Sequence, residues 1–130
     1  MYKLILILLT LMMSSHVSAD WLQIGVNGNL TTFVDPSTIS KSENSVGMWQ
    51  LVDLKESKKE ETGKSFLSAK GVQEYDCKTE QVKKISLSFY SENMGKGEVV
   101  HAYADPEKWT WTPITKGSMA ELMWKTACGK

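Results

Sequence analysis

Cysteine and histidine are both scarce in this chain, with two of each among 130 residues. The cysteines are Cys77 and Cys128, and the histidines are His16 and His101. Two distant cysteines and a lone histidine do not match the ligand spacing of a zinc site. A Ser-His-Asp arrangement could be built only around His101, whose neighbours Val100 and Ala102 suit an ordinary strand position. Gly95-Lys96-Gly97 lacks the longer phosphate-loop pattern and reads as a turn. A basic excess is missing too: 15 basic residues face 15 acidic ones, which leaves no electrostatic footprint of a nucleic-acid binder. The chain has no internal repeat and no low-complexity tract. These absences disfavour an enzyme, and no metal or cofactor is expected.

The first 19 residues read as an export signal. Lys3 supplies the positive start, residues 4–13 are almost unbroken apolar sequence, and Val17-Ser18-Ala19 fits a cleavage site before Asp20. The apolar run falls well short of the roughly twenty residues that span a bilayer. No cysteine lies near the expected cut, so no lipid anchor is expected. The mature chain, residues 20–130, then forms one small domain, exported to the periplasm, the cell surface or the medium. Loss of Lys3 leaves fourteen basic residues against fifteen acidic, and His101 becomes the only histidine. All five tryptophans lie beyond the cut, available to a small core or a binding surface.

In an exported domain, two cysteines are most simply read as one disulfide, Cys77–Cys128; two unpaired buried thiols are the alternative. Such a bridge closes a loop of about fifty residues, worth roughly 4 kcal/mol in the chain-entropy model. It supplements the modest core that a domain of this size can bury.

Most of the chain reads as strands. Residues 21–26 alternate loosely and end in Asn27-Gly28-Asn29, a hairpin turn signal, with the return strand over 30–34. Asp35-Pro36-Ser37-Thr38 predicts one short helical turn. Residues 46–54 form a strand apolar on both faces, with Val46, Met48, Val52 and Leu54 opposed to Trp49 and Leu51. The mixed-charge run 55–63 reads as a solvated hairpin loop. Residues 65–77 form a long strand in which Gly71 hints at a bulge. Across 82–90, Ile85, Leu87 and Phe89 point one way, and Lys84, Ser86, Ser88 and Tyr90 the other. A loop over 91–97 and a strand over 98–104 follow, stopped by Asp105-Pro106. Trp109-Thr110-Trp111-Thr112-Pro113 is extended, because a proline disfavours helix in the residue before it.

The last element is a helix. Ser118 is its N-cap, Glu121 completes a capping box, and Met119, Leu122, Met123 and Thr126 form the stripe laid on the sheet. Gly129 terminates it, and Cys128 at its end staples helix to sheet. The expected fold is therefore α+β: a single antiparallel sheet of about six strands, with one C-terminal helix on a face tethered by a disulfide.

Several stretches in this order resemble the bacterial surface-adhesin protein E family. They are Val34-Asp35-Pro36-Ser37-Thr38-Ile39, Val46-Gly47-Met48-Trp49 with Leu51, and Ser68-Ala69-Lys70 leading to Glu74-Tyr75-Asp76-Cys77. Tyr90-Ser91, Met94-Gly95-Lys96-Gly97, residues 111–113, Gly117-Ser118 and the terminal Cys128 complete the match. The resemblance implies the same sheet and disulfide-tethered helix, an envelope location and, for its best-known members, adhesion to host matrix and serum proteins. Surface-displayed members can be lipoproteins, and the cysteine that would carry a lipid is absent here. The matching residues are turns, cap and disulfide, so the resemblance carries over the fold and no binding residue.

Binding is the function class left. Lys83 and Lys84, with Lys78 and Tyr90, form a mildly basic, aromatic surface suited to a protein partner; a merely solvated strand face is the plainer reading. A homodimer is left open. Trp109 and Trp111 alternate with threonines as core, docking edge or ligand wall, and core is expected for at least one. Asp76 beside Cys77 reads as a turn residue. Three classes remain: a non-catalytic interaction module of the envelope, an adhesin in the narrower form; a periplasmic binder of haem or a lipid, using His101 and the Met-rich helix in the gap between helix and sheet; and, least favoured, an enzyme.

Overall fold

The computed structural model describes residues 20–104 and 109–130, so the expected export signal at 1–19 lies outside the described residues. Six strands, β1 (Leu22–Asn27), β2 (Leu30–Lys41), β3 (Val46–Lys59), β4 (Ser65–Asp76), β5 (Gln81–Tyr90) and β6 (Val99–Tyr103), form one sheet in chain order. Every neighbouring pair is antiparallel. A seventh, β7 (Thr112–Pro113), pairs with the start of β5, and the chain closes with helix α1 (Met119–Cys128). Consecutive strands are neighbours because short hairpin turns join them. At the first, Gly28 takes φ +60°, a conformation that favours glycine.

The main core lies between α1 and one end of the sheet. Val34, Val46, Met48 and Tyr75 from three strands meet Met123, Trp124 and Ala127 of the helix. The helix begins as expected: the Ser118 hydroxyl accepts from the Glu121 N–H at 3.2 Å, and Gly129 ends it in the left-handed region. Its stripe is rotated from the expected one. Leu122 is half exposed, and Met123, Trp124 and Ala127 are buried instead. The reason is Trp124, whose indole N–H donates to the Asp76 carbonyl at 2.9 Å and draws that side of the helix onto β4. Cys77 and Cys128 are bonded, with their Cα atoms 5.7 Å apart, beside the same contact.

Two expected elements differ. Residues 35–38 form no helical turn; β2 runs through them with a register shift between Asp35 and Ser40. The buried Asp35 carboxylate accepts from the Ser37 N–H at 3.0 Å, and Thr38 Oγ1 donates to the Asp35 carbonyl while accepting from the Trp49 N–H. Side chains thus replace ladder bonds at a place where Pro36 has no N–H to give. The run at 55–63 is not mainly loop: β3 continues to Lys59, and the Glu60 N–H donates to the Lys64 carbonyl across a tight turn.

Candidate binding site

Register settles which side chains share a face of the sheet. On the face away from α1, Asp53, Ser68 and Tyr90 form one row across β3, β4 and β5. Leu51, Lys70 and Ser88 form the next row, followed by Trp49, Val72 and Ser86, and then by Gly47, Glu74 and Lys83. Loop 91–97 covers the first two rows. The Asp53 carboxylate accepts from the Met94 N–H at 2.8 Å and from the Asn93 amide at 3.1 Å. The fully buried Ser68 hydroxyl donates to the Glu92 carbonyl and accepts from the Gly95 N–H. Beyond the loop the face is open. Trp49 is 39% exposed, with Phe33 and Val72 partly buried beside it.

A bulge decides where the lysines go. Val72 pairs with Ser86 but Gln73 pairs with Lys84, so β5 carries one extra residue, Ile85. Simple alternation put Lys84 and Tyr90 on one face. The extra residue breaks that alternation: Lys84 turns to the helix side with Leu87 and Phe89, and Lys83 comes to the open face with Tyr90. Lys83 and Tyr90 are three rows apart, roughly 20 Å at strand spacing. The Tyr90 ring lies under the Lys70 ammonium at 5.1 Å. Lys83, Lys84 and Tyr90 therefore do not form one patch. Lys78 sits in the exposed turn after Cys77, where its N–H donates to Asp76.

α1 covers β4 only toward its Tyr75 end, and on the same side of the sheet, toward β5 and β6, lie two clefts of about 340 and 380 Å³. They share Lys84 and Trp109. The floor of the first is aromatic: Phe66 and Phe89 meet edge to face at 4.6 Å, and Phe89 and Tyr103 at 5.9 Å. His101 packs on Tyr103 with ring centroids 4.2 Å apart. His101 pairs with Phe89 and so lies on the helix side, but on the edge strand β6 away from the strands that α1 packs on, so it and the methionines of α1 do not frame a common gap. Trp109 is a cleft wall and Trp111 is 37% exposed, so neither is core; the core tryptophan is Trp124.

Glu60 closes the far end of the first cleft. One carboxylate oxygen accepts from the Tyr103 hydroxyl, and the other from the Thr62 N–H at 2.9 Å and hydroxyl at 2.7 Å. These donors, the phenol foremost, hold its carboxyl down to about 2. The same bond, with burial and the charges of Glu60 and Glu61, pushes the Tyr103 phenol up to about 12. A lowered acid makes stability rise with pH between about 2 and the ordinary carboxyl value of 4.5, because the unfolded chain binds more protons there. Tyr103→Phe removes the leading donor and should flatten that slope. Thermal unfolding from pH 2 to 5 checks it, and equal slopes for the two proteins would dismiss the bond as a contributor. The charged run had suggested only a solvated turn; nothing in it signalled that Glu60 would find a phenol 43 residues away.

No group of metal-ligating side chains occurs among the described residues. Asp76 accepts from the Lys78 and Thr79 N–H groups, a turn role that keeps its carboxyl below the usual range. What the sheet offers is two surfaces: an open face around Trp49 and Lys83, and an aromatic cleft bearing Lys84.

The family model for surface-adhesin protein E matches residues 21–129. The chain belongs to the surface-adhesin protein E family. Among solved structures, crystal form II of Haemophilus influenzae protein E is 17% identical at TM-score 0.65, covering 87% of this chain and 90% of that one. A second structure of Haemophilus influenzae protein E is 17% identical at TM-score 0.64, over 87% and 86% of the two chains. Protein E from non-typeable Haemophilus influenzae aligns at 17% identity and TM-score 0.57, over 82% and 76%. At such identities the likeness shows a shared fold. No curated protein matches this chain in sequence. The family makes this a surface adhesin in broad class. Among the described residues no helix is long and apolar enough to cross a membrane.

Proposed function

We propose that the chain is exported after cleavage between Ala19 and Asp20, and that residues 20–130 act in the envelope as a non-catalytic module that captures a host matrix or serum protein. The observation that carries this reading is the open sheet face. Trp49, at 39% exposure, stands beside Phe33 and Val72 with Lys83 one row away, an aromatic centre with a charged rim. Family membership supports the class, and the broken Lys84/Tyr90 patch narrows the surface to Trp49 and Lys83. Tyr90 belongs to the same face at its loop-covered end.

Surface plasmon resonance against immobilised matrix and serum proteins tests the reading. Trp49→Ala should cost a bound partner roughly 2 kcal/mol or more, as truncated interface aromatics do. Lys83→Glu should weaken capture chiefly through the association rate. Lys83→Glu should keep the wild-type unfolding midpoint, and Trp49→Ala, which gives up part of its packing beside Phe33 and Val72, should lower it while leaving the protein folded at the assay temperature. Capture that is indifferent to both changes would remove this face from consideration.

A small-ligand reading has one observation in its favour: His101 stands beside the aromatic cleft, against Tyr103. An absorbance titration with haemin, repeated on His101→Ala, decides it; spectra that do not change on mixing would dispose of haem as the ligand.

A further inference from the structure

The aromatic cleft carries more than a wall of rings. Along the outer edge of β5, pairing with β6 ends at Leu87 and pairing with β7 begins at Val82. Between those points Lys84 projects on the helix side, in the second cleft, with Gln73, Trp109, Thr110 and Thr112 around it. Lys84 is the one charged residue lining that cleft among the described residues, and it is exposed.

Gln73 is set up to donate. Its side-chain oxygen accepts from the Tyr75 hydroxyl at 2.8 Å, a bond buried under the helix core. The amide nitrogen is then the end left to the cleft, and it can only donate. The Thr112 hydroxyl lies on the same rim and offers a further donor. A lysine ammonium, an amide N–H and a hydroxyl around one opening suit an anion.

The adjoining cleft is of the opposite character. Phe66, Leu87 and Phe89 make its floor, and it shares Lys84 and Trp109 with the second cleft. Its other charged groups, Lys59, Glu60 and Glu61, gather at the turn end, where Glu60 has both oxygens engaged by Tyr103 and Thr62. An aromatic floor beside a donor-bearing opening, with Lys84 shared between them, matches a molecule with an apolar chain and a single negative head. The combined space, two clefts of about 340 and 380 Å³, is in the range of small-ligand sites.

We propose that this cleft binds a free single-chain carboxylate amphiphile of the fatty-acid class, its chain on Phe66, Leu87 and Phe89 and its carboxylate on Lys84 and the Gln73 amide. This deepens the small-ligand reading of the cleft. It is independent of the protein-binding face, which lies on the other side of the sheet.

Isothermal titration calorimetry on the oxidised protein tests it, with laurate as the probe and dodecylamine and dodecyl maltoside as chain-matched controls below their micellar concentrations. Laurate should bind at least tenfold more tightly than dodecylamine. Lys84→Ala should weaken laurate at least tenfold, and Lys83→Ala, on the opposite face, should leave it unchanged. Lys84 is exposed, so its variant should unfold at the wild-type midpoint, which separates a lost contact from a lost fold. Equal affinities for the three probes, no heat with laurate up to millimolar concentration, or equal effects of the two lysine changes would each overturn the proposal. Binding to dilauroyl phosphatidylglycerol vesicles without binding of free laurate would overturn it as well, by moving the occupant to a membrane. Failure here combined with normal capture of a matrix protein would leave the adhesin reading standing.

Discussion

Replacing Gly71 by alanine should destabilise the protein by roughly 3 kcal/mol or more, the upper end of overpacking costs. A Cβ added there would lie 2.0 Å from the Ser86 carbonyl oxygen and 2.8 Å from its carbon. Both are backbone atoms, so no rotamer change relieves the contact, and β5 would have to move. That movement falls at the β5 bulge, where Ser86 Oγ accepts the Val72 N–H at 3.2 Å in place of a regular ladder bond. Gly47→Ala is the matched control, since its added Cβ meets nothing nearer than 3.9 Å. Urea unfolding of the two variants, read by tryptophan fluorescence, should show a large loss at Gly71 and a loss below about 1 kcal/mol at Gly47. Similar midpoints for both would mean that the bulge is softer than its geometry. Because the bulge also decides which face Lys83 and Lys84 each take, any Gly71 variant that folds by relaxing β5 should disturb both surfaces together.

Removing the disulfide is the second large change. Cys77→Ser combined with Cys128→Ser should cost roughly 2–5 kcal/mol, the usual range for a native bridge in a small exported domain. The bridge spans 51 residues and anchors the C-terminal end of α1, where Lys130 also reaches the Cys77 carbonyl and lies over the Trp124 ring at 5.1 Å. Without it, the helix is held by its packing on Val34, Val46, Met48 and Tyr75 and by the Trp124–Asp76 hydrogen bond. Denaturant unfolding of oxidised wild type against the double variant measures the cost, and thiol titration of the unfolded, unreduced wild type should find none free. A difference below about 1 kcal/mol would show that packing alone holds the helix.

Much of the fold was legible because it rests on local signals. Asn27-Gly28 marked a hairpin, Ser118 and Glu121 marked a helix start, and two cysteines in an exported chain marked a bridge. Errors arose where one local pattern serves two structures. Asp35-Pro36-Ser37-Thr38 contains the residues of a helix start, yet the same carboxylate and hydroxyls can satisfy a bulged strand, and the sheet on either side decided between them. Alternation along β5 was read through Ile85, and one unpaired residue reverses every assignment beyond it. Gly71 had hinted at a bulge, but the extra residue sits on the facing strand, which no single segment could indicate. The cleft was the least legible part. Its residues come from β4, β5, β6 and the chain near β7, and Glu60 meets Tyr103 only once the sheet is assembled. Core is the expectation for at least one of Trp109 and Trp111, because large aromatics usually are buried; Trp124 takes that place through the Asp76 carbonyl, far away in sequence.

The simple strand order has a kinetic meaning. A sheet whose first six strands each pair with their neighbours in the chain closes mostly short loops, which favours fast folding for an all-strand body. A much longer closure is the return of α1 to the first four strands, after the whole meander has been made. Joining of Cys77 to Cys128, which hands two electrons to an external oxidant, therefore comes last in any sequential assembly, on a sheet that is already largely formed. The oxidising machinery of the envelope would meet this chain as a nearly finished body with a loose C-terminal tail, and two cysteines leave it no wrong intramolecular pairing to repair.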